Sequence, residues 1–480
     1  MCFIAMSLLP AQSMAQGWYG DVNGDGRVSI EDVTSLIDGI LKGNTSSPFV
    51  PDRDYLSAKD FGAMGDGQTD DTDALERLFE TAFNAKKAVF FDPGTYVIRR
   101  SLLLRSGMEI YGENATLKKK TAITTTLSEA VVKGQTYLDL KSASGFKVGD
   151  QFVIASNSGA NFCTYGIITA IEGNRIHFNN ILSDVQTDFP GCIMDYAAGL
   201  SVSNSFALLR SWSTRYDCDG VYIHDMTLDG NRIYSEPRVW ACSCIHLDAY
   251  NGEGYTGNTG IEYRHVQRNL IARNLTIKNS PCDAISDQGA GGLIVSDCEM
   301  VNNAMHGVHV GTIFTNGVIS NNTMTGNGIN GSGVFFCQSV TNVIVANNII
   351  TKFYHGCSDE EFGTCGKYIL IRNNTFNNIS SYVFDFLKAN AGTRGGGLQM
   401  CNNIVTELKA PLFSGQYLDD VILTNNEVKS VSTAPSRFVS ITNSKNAVVA
   451  GNTVPADVNV STPVVSTNTT NLLDVSNTWN

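Results

Sequence analysis

NNTMTGNGINGSGVFFCQSVTNVIVANNII, residues 321–350, holds one full period of the pattern that decides the fold. An Asn-Asn pair leads into Met324, and the same signature returns 26 residues later at Ile350. Working outward, DMTL, NLTI, DCEM, NNTM, NNII, NNTF, NNIV, NNEV and GNTV end at Leu228, Ile277, Met300, Met324, Ile350, Phe376, Val405, Val428 and Val454. Their successive spacings are 49, 23, 24, 26, 26, 29, 23 and 26. Self-similarity at such a period means stacked coils, each burying its inner face only against its neighbours. The expectation is an all-β chain folded as a right-handed parallel β-helix, a solenoid with one coil per interval and two in the interval of 49. An Asn or Asp ahead of each apolar pair suits a turn with left-handed backbone angles and side-chain amides that hydrogen-bond along the stack.

Composition agrees with this reading and limits function. Of 480 residues, 42% are hydrophobic, only 17% are charged and 45 are Gly, which favours a turn-rich β protein over a helical one. A formal net charge of −12 argues against nucleic acid or an anionic membrane as partner, since both require a basic surface. No run of about 20 apolar residues is present to span a bilayer. Residues 1–15 (MCFIAMSLLPAQSMA) are apolar and end in Ser13-Met14-Ala15, the pattern of a signal peptide cut before Gln16, so the protein is expected to be secreted or at the cell surface. The twelve cysteines lack the spacing of a disulfide scaffold, and Cys357 and Cys365, bracketing a short acidic loop, are the pair expected to bridge.

Residues 21–32 read DVNGDGRVSIED. Asp21, Asn23, Asp25, Ser29 and Asp32 supply oxygen ligands at loop positions 1, 3, 5, 9 and 12, Arg27 supplies a backbone carbonyl at 7, and Gly26 allows the sharp turn. This is an EF-hand-like calcium loop, and DVTSLIDGILKG behind it reads as the exit helix. The segment 20–43 resembles one dockerin type I repeat, which implies Ca2+ binding and, as a partner, a cohesin-bearing scaffold. Residues 44–53 form a linker.

From 54 to 117 we expect the amino-terminal cap and first coils. DFGAMGDGQTDDTDALERLFETA followed by AVFFDPGTYVI resembles the opening of the pectate lyase superfamily, which implies the β-helix fold and a capping helix. Ala74, Leu75, Leu78, Phe79, Ala82 and Phe83 give that helix one apolar face, and Asp71 or Thr72 is placed to cap it. Residues 118–200 break the coil rhythm with alternating segments that read as an antiparallel hairpin insertion, and 201–480 form the main solenoid.

CIHLDAY, DAISDQG, HGVHVGT, SGVFFCQ, HGCSDEE and YVFDFLK fall in register, one per coil. With Ile245, Ile285 and Val308 inward, alternation sends His246, Asp248, Asp283, Ser286, His306 and His309 outward, on coils about 4.8 Å apart. His355, Asp359, Glu360 and Glu361 extend this patch. Four of the seven histidines therefore cluster beside carboxylates, a candidate active face. The stretch 283–312 resembles polygalacturonase-type glycoside hydrolases, with Asp283 matching the second Asp of a paired motif and His306-Gly307 the His-Gly, while Cys282 replaces the first Asp.

The expected activity is cleavage of a uronate-containing, pectin-like polysaccharide. In hydrolysis, Asp283 with Asp248 or Asp287 provides the acid–base pair. In the alternative, a lyase or epimerase, His306 or His309 is the base, and Arg264 or a second Ca2+ at the active face neutralises the uronate. His246, Arg264, His355, Asp359 and Glu360 are the candidate substrate-binding residues. A third class also stands: a non-catalytic glycan-binding or adhesive β-helix with Phe335, Phe336, Tyr354 and Phe362 as stacking platforms.

Overall fold

The structure is a computed structural model that describes residues 54–154, 163–179, 191–192, 194–212, 216–247, 265–289, 291–311, 314–337, 339–359, 366–387, 391–392, 394–458 and 460–479. The expected signal peptide, the expected calcium loop with Asp21, Asn23, Asp25, Arg27, Ser29 and Asp32, the expected linker, and Asp248, Arg264, Glu360, Glu361, Phe362 and Cys365 lie outside these residues. No helix among the described residues is long and apolar enough to cross a membrane.

Each coil contributes one short strand to each of three parallel sheets, of 13, 11 and 11 strands among the described residues. The sheets enclose a single apolar core built from aligned rows. One row runs Leu117, Leu228, Ile277, Met300, Met324, Ile350, Phe376, Val405 and Val428, each the Cα partner of the next. The repeat positions in the sequence are thus one physical row of the core.

Leu228 pairs directly with Ile277, so the interval of 49 residues is one coil, not the two that its length suggested. The same holds on the third sheet, where Ile245 stacks on Ile285. The surplus residues lie in connections between strands, where added length costs little because loop-closure entropy grows only slowly.

The Asn pairs divide two tasks between them. The first residue of each takes the left-handed conformation: Asn321, Asn347, Asn373, Asn402 and Asn425 have φ of 53–58°. An L residue with a Cβ pays about 1–2 kcal/mol there, and Asn is among the side chains that tolerate it. The second is buried and builds a ladder: Asn322, Asn348, Asn374, Asn403, Asn426 and Asn452 each pass an Nδ2–H to the Oδ1 of the next at 2.9–3.0 Å, and the partly buried Asn477 accepts the last of these bonds. Interior polar groups are thereby satisfied coil after coil.

Helix α1 (Thr72–Ala85) buries Ala74, Leu75, Leu78, Phe79 and Ala82 in the same core. Neither expected cap forms on its first turn. Asp71 instead accepts from the Met64 and Gly65 amides at 2.6 and 3.1 Å, and the Thr72 hydroxyl accepts from the Arg99 amide at 2.9 Å.

Between two adjacent coils, residues 124–203 form a six-stranded antiparallel sheet with its own core, including Leu138, Phe152, Ile168, Ile176 and Val202. The solenoid closes beneath it, because Leu102–Leu103 pairs in parallel with Leu209–Arg210. Cys357 is a free thiol on the inward row, between Val334 and Phe384, so the bridge expected with Cys365 is not formed.

Candidate active face

The third sheet places the six register-matched segments as the alternation requires: Ile245, Ile285, Val308, Val334, Cys357 and Phe384 stack inward. The next residue of each coil lies on the outward row, giving Arg210, His246, Ser286, His309, Phe335, Ser358 and Asp385. Asp283 and His306 sit two positions before the inward residues Ile285 and Val308, so alternation does not put them on the outward row as expected, and both are buried. They meet at the corner where the chain enters the strand.

Asp283 is the hub of this corner. Its Oδ1 accepts the His306 backbone N–H at 3.0 Å and the Cys282 thiol at 3.7 Å, and its Oδ2 meets His309 Nδ1 at 3.0 Å. Its own N–H reaches the Ser243 hydroxyl at 3.3 Å. The carboxyl is fully buried, which works to raise its pKa, yet the imidazoles of His306 and His309 outweigh burial and hold it below the usual carboxylate range. His309 shows the reciprocal effect: burial lowers it, but its hydrogen bond to the Asp283 carboxylate lifts it to about 10. The pair is therefore carboxylate and imidazolium at neutral pH.

His306 is held differently. Its Nδ1 accepts the Ser332 amide at 2.9 Å, so the neutral ring carries its proton on Nε2. Burial lowers it to about 4, with the positive His309 acting in the same direction against Asp283. The ring lies flat on Phe335, with centroids 4.2 Å apart and planes 13° apart. Phe335, expected as a platform for sugar, is a platform for this histidine.

The other candidates divide. His355 lies two coils further along the His306 row, with Nδ1 3.5 Å from Asp385 and its ring against Tyr354 and Tyr382. His246 is on the outward row but fully buried. Asp287 and Asp359 fall on the row of Leu247, Val310 and Phe336, whose side chains are in the core. Asp287 is pushed up to about 7 by burial, against the Gly289 amide and His309. Phe336 is likewise core rather than platform.

Reading the sequence missed two neighbours. Arg210 extends the outward row beside His246 and is buried under the insertion, its Nη2 3.0 Å from the Tyr165 hydroxyl. Cys337 lies two residues past Phe335 on the coil above His309. Parity along SGVFFCQ places Cys337 on the outward side.

Asp283, His306 and His309 offer one donor atom each, all within 4.8 Å of one another. Two imidazoles and one carboxylate are not the oxygen-only set that calcium takes, so this trio does not fit the second Ca2+ expected at the face.

A model of the family described as rhamnogalacturonase A/epimerase, pectate lyase-like, matches residues 55–309, a span that contains this whole corner. The uncharacterized protein YclG of Bacillus subtilis is 21% identical over 401 residues, 77% of this chain and 66% of that one. The chain spans only about 5–8% of the length of the first curated relatives it matches. Among solved structures, the A-module of Azotobacter vinelandii mannuronan C-5 epimerase AlgE6 is 15% identical, with 88% of this chain and 99% of that one covered at a TM-score of 0.48. A hyperthermoactive exopolygalacturonase from Thermotoga maritima is 12% identical, with 93% and 96% covered at a TM-score of 0.47.

Proposed function

The chain belongs to the rhamnogalacturonase A/epimerase, pectate lyase-like family, and from that membership we propose that it is a secreted enzyme hydrolysing a uronate-containing polysaccharide at the Asp283 corner. The observation that carries this reading is the charge-separated Asp283–His309 pair at 3.0 Å beside a neutral His306. Acid–base chemistry requires titratable groups whose environments drive their pKa values apart, and this corner does so within one cluster.

In this reading Asp283 is the ionised carboxylate that takes a proton from the attacking water. His306 Nε2–H donates a hydrogen bond to a sugar oxygen, and the His309 imidazolium faces the uronate charge. The proton donor to the leaving oxygen is assigned to Asp248, the residue that follows Leu247 in the sequence, because Asp287 occupies a core-facing position. Two carboxyls about 6.5–9.5 Å apart would invert the anomeric centre. One observation favours a second reading, β-elimination or epimerisation: an imidazolium held positive is the cation that neutralises a uronate when its C5 proton is removed. The calcium loop at 21–32 and docking to a cohesin-bearing scaffold complete the proposal and rest on the sequence motif.

The test is a panel of plant and host polysaccharides assayed for reducing ends and for the absorbance of unsaturated uronates. Reducing ends without absorbance support hydrolysis, absorbance supports elimination, and retention without cleavage supports the adhesive class. Full activity in Asp283→Asn and His306→Ala would show that the face is misassigned.

A further inference from the structure

The Asp283 corner lies where a buried stretch of the solenoid face ends. On the outward row, Arg210, His246 and Ser286, from successive coils up to that of Asp283, are at most 1% exposed. Beyond them the face reaches solvent: the His309 side chain is 12% exposed and Phe335 is half-buried. The row of Asp283, three residues earlier on each coil, changes at the same place. Ser243 and Asp283 are fully buried, whereas His355 and Tyr382 are partly exposed and Tyr354, beside His355, is 43% exposed.

The antiparallel insertion makes this difference. It enters the chain between the coil of Leu103 and that of Arg210. The ring of Tyr165, on the inserted strand Thr164–Glu172, lies over the Arg210 guanidinium with its centroid 4.7 Å away, and its hydroxyl is 3.0 Å from Nη2. Val153, Cys163 and Tyr165 pack against Val239, Ala241 and Cys242, in the segment that leads into strand Ile245–Leu247. The inserted sheet thus walls off the two coils that precede Asp283, and close apolar packing of this kind leaves no space for a sugar chain.

We propose that a polysaccharide reaches this corner from one side only, so that the enzyme is exo-acting and removes a short fragment of constant length from a chain end. The inference rests on the Asp283 corner as the reacting site, whether the bond is broken by hydrolysis or by elimination. Cutting an internal bond requires sugars on both sides of the corner, and the wall leaves only a short space on one. From the His309 rung to the Arg210 rung under Tyr165 there are three coil spacings, about 14 Å along the stack. His246 and Ser286, on the coils between, are themselves covered. The rest of the polysaccharide extends over the later coils. There Tyr354 offers an aromatic face to a sugar ring, and its own position is fixed by the His355 ring, which packs edge-on against it at 4.6 Å and parallel to Tyr382 at 6.1 Å. In hydrolysis each cut consumes one water, whose OH joins the anomeric carbon as its bond to the leaving oxygen breaks and that oxygen takes up a proton.

The test incubates the full chain with polygalacturonate, rhamnogalacturonan and alginate, and with their oligomers of two to eight sugars labelled at the reducing end. Products are followed by mass spectrometry and the polymers by viscosity. The expected result is one small product from the earliest time point, oligomers that shorten stepwise from one end, and viscosity that falls only in proportion to the bonds cut. Tyr354→Ala should raise KM several-fold more for the eight-sugar oligomer than for the shortest oligomer cut. A spread of intermediate lengths at the start, with a steep early loss of viscosity, means internal cuts; it overturns the one-sided site and leaves the Asp283 corner as the reacting site. A rise in KM that is equal at every length overturns the place of Tyr354 on the open side. If none of the three polymers or their oligomers is cut, the one-sided site falls together with the reading of the corner on which it rests.

Discussion

Replacing Asn348 by Ala should open one rung of the asparagine ladder and destabilise the solenoid locally by about 2 kcal/mol. In the intact ladder, Asn348 Oδ1 accepts the Asn322 backbone N–H and Nδ2–H, both at 2.9 Å, while its Nδ2 donates to Ile319 O at 2.9 Å and to Asn374 Oδ1 at 2.9 Å. Asn322 Nδ2 retains a second acceptor in Val295 O, and Asn374 Oδ1 retains the Asn348 N–H. One interior group is left with nothing, the Asn322 N–H, because the Ile319 carbonyl stays in the parallel ladder that pairs Ile319 with Val345. A buried orphan costs roughly 1–3 kcal/mol, which gives the loss of about 2. Asn347→Ala, one residue earlier, touches no ladder bond and should cost only about 1 kcal/mol for placing Ala at φ 57°. Native-state hydrogen exchange read on peptides spanning 319–322 and 346–350 separates the two, because a solenoid loses protection where it is broken and keeps it several coils away. A loss below about 0.5 kcal/mol for Asn348→Ala, no more than an ordinary surface change, would refute the ladder argument.

Other perturbations probe the insertion and the active corner. The Lys119–Glu236 ion pair is 2.8 Å long with both side chains buried, so Lys119→Met should cost about 3–5 kcal/mol in thermal or guanidinium unfolding, and adding Glu236→Leu should recover most of it. Asp283→Asn removes the partner that holds His309 at about 10, and NMR titration should find His309 several units lower; an unmoved midpoint contradicts the pairing. His306, depressed to about 4 from 6.5, is favoured neutral in the fold. The stability this gives is complete above pH 6.5 and is lost as pH falls from 6.5 toward 4. His306→Gln should flatten that segment of the melting-temperature profile, and an unchanged slope would assign it to other groups.

Much of this architecture was legible because one side chain per coil repeats. The apolar ends of the Asn-punctuated segments proved to be a single core row, and the six segments from CIHLDAY to YVFDFLK stacked as alternation required. Coil counting failed at the interval of 49 because length added in a connection leaves the pairing of Leu228 with Ile277 untouched. Strand parity placed His309 outward, and the same parity puts Asp287 and Asp359 on the core-facing row of Phe336, which proximity in sequence to Asp283 and His355 obscured. Arg210 escaped notice because the inserted sheet separates its strand from the preceding coil, so no repeat spacing leads to it. The opposed states of His306 and His309 were not readable either. They depend on which ring nitrogen faces Ser332 and which faces Asp283, and no spacing encodes that.

The active face is tested most directly by a crystal structure of the Asp283→Asn protein with a bound oligouronide, the substitution serving to keep the chain uncleaved. The expected result is a sugar ring within hydrogen-bond distance of His306 Nε2, its carboxylate toward His309 and a glycosidic oxygen beside residue 283. An oligouronide seated on another sheet, with the corner of residues 283, 306 and 309 empty, would contradict the assignment.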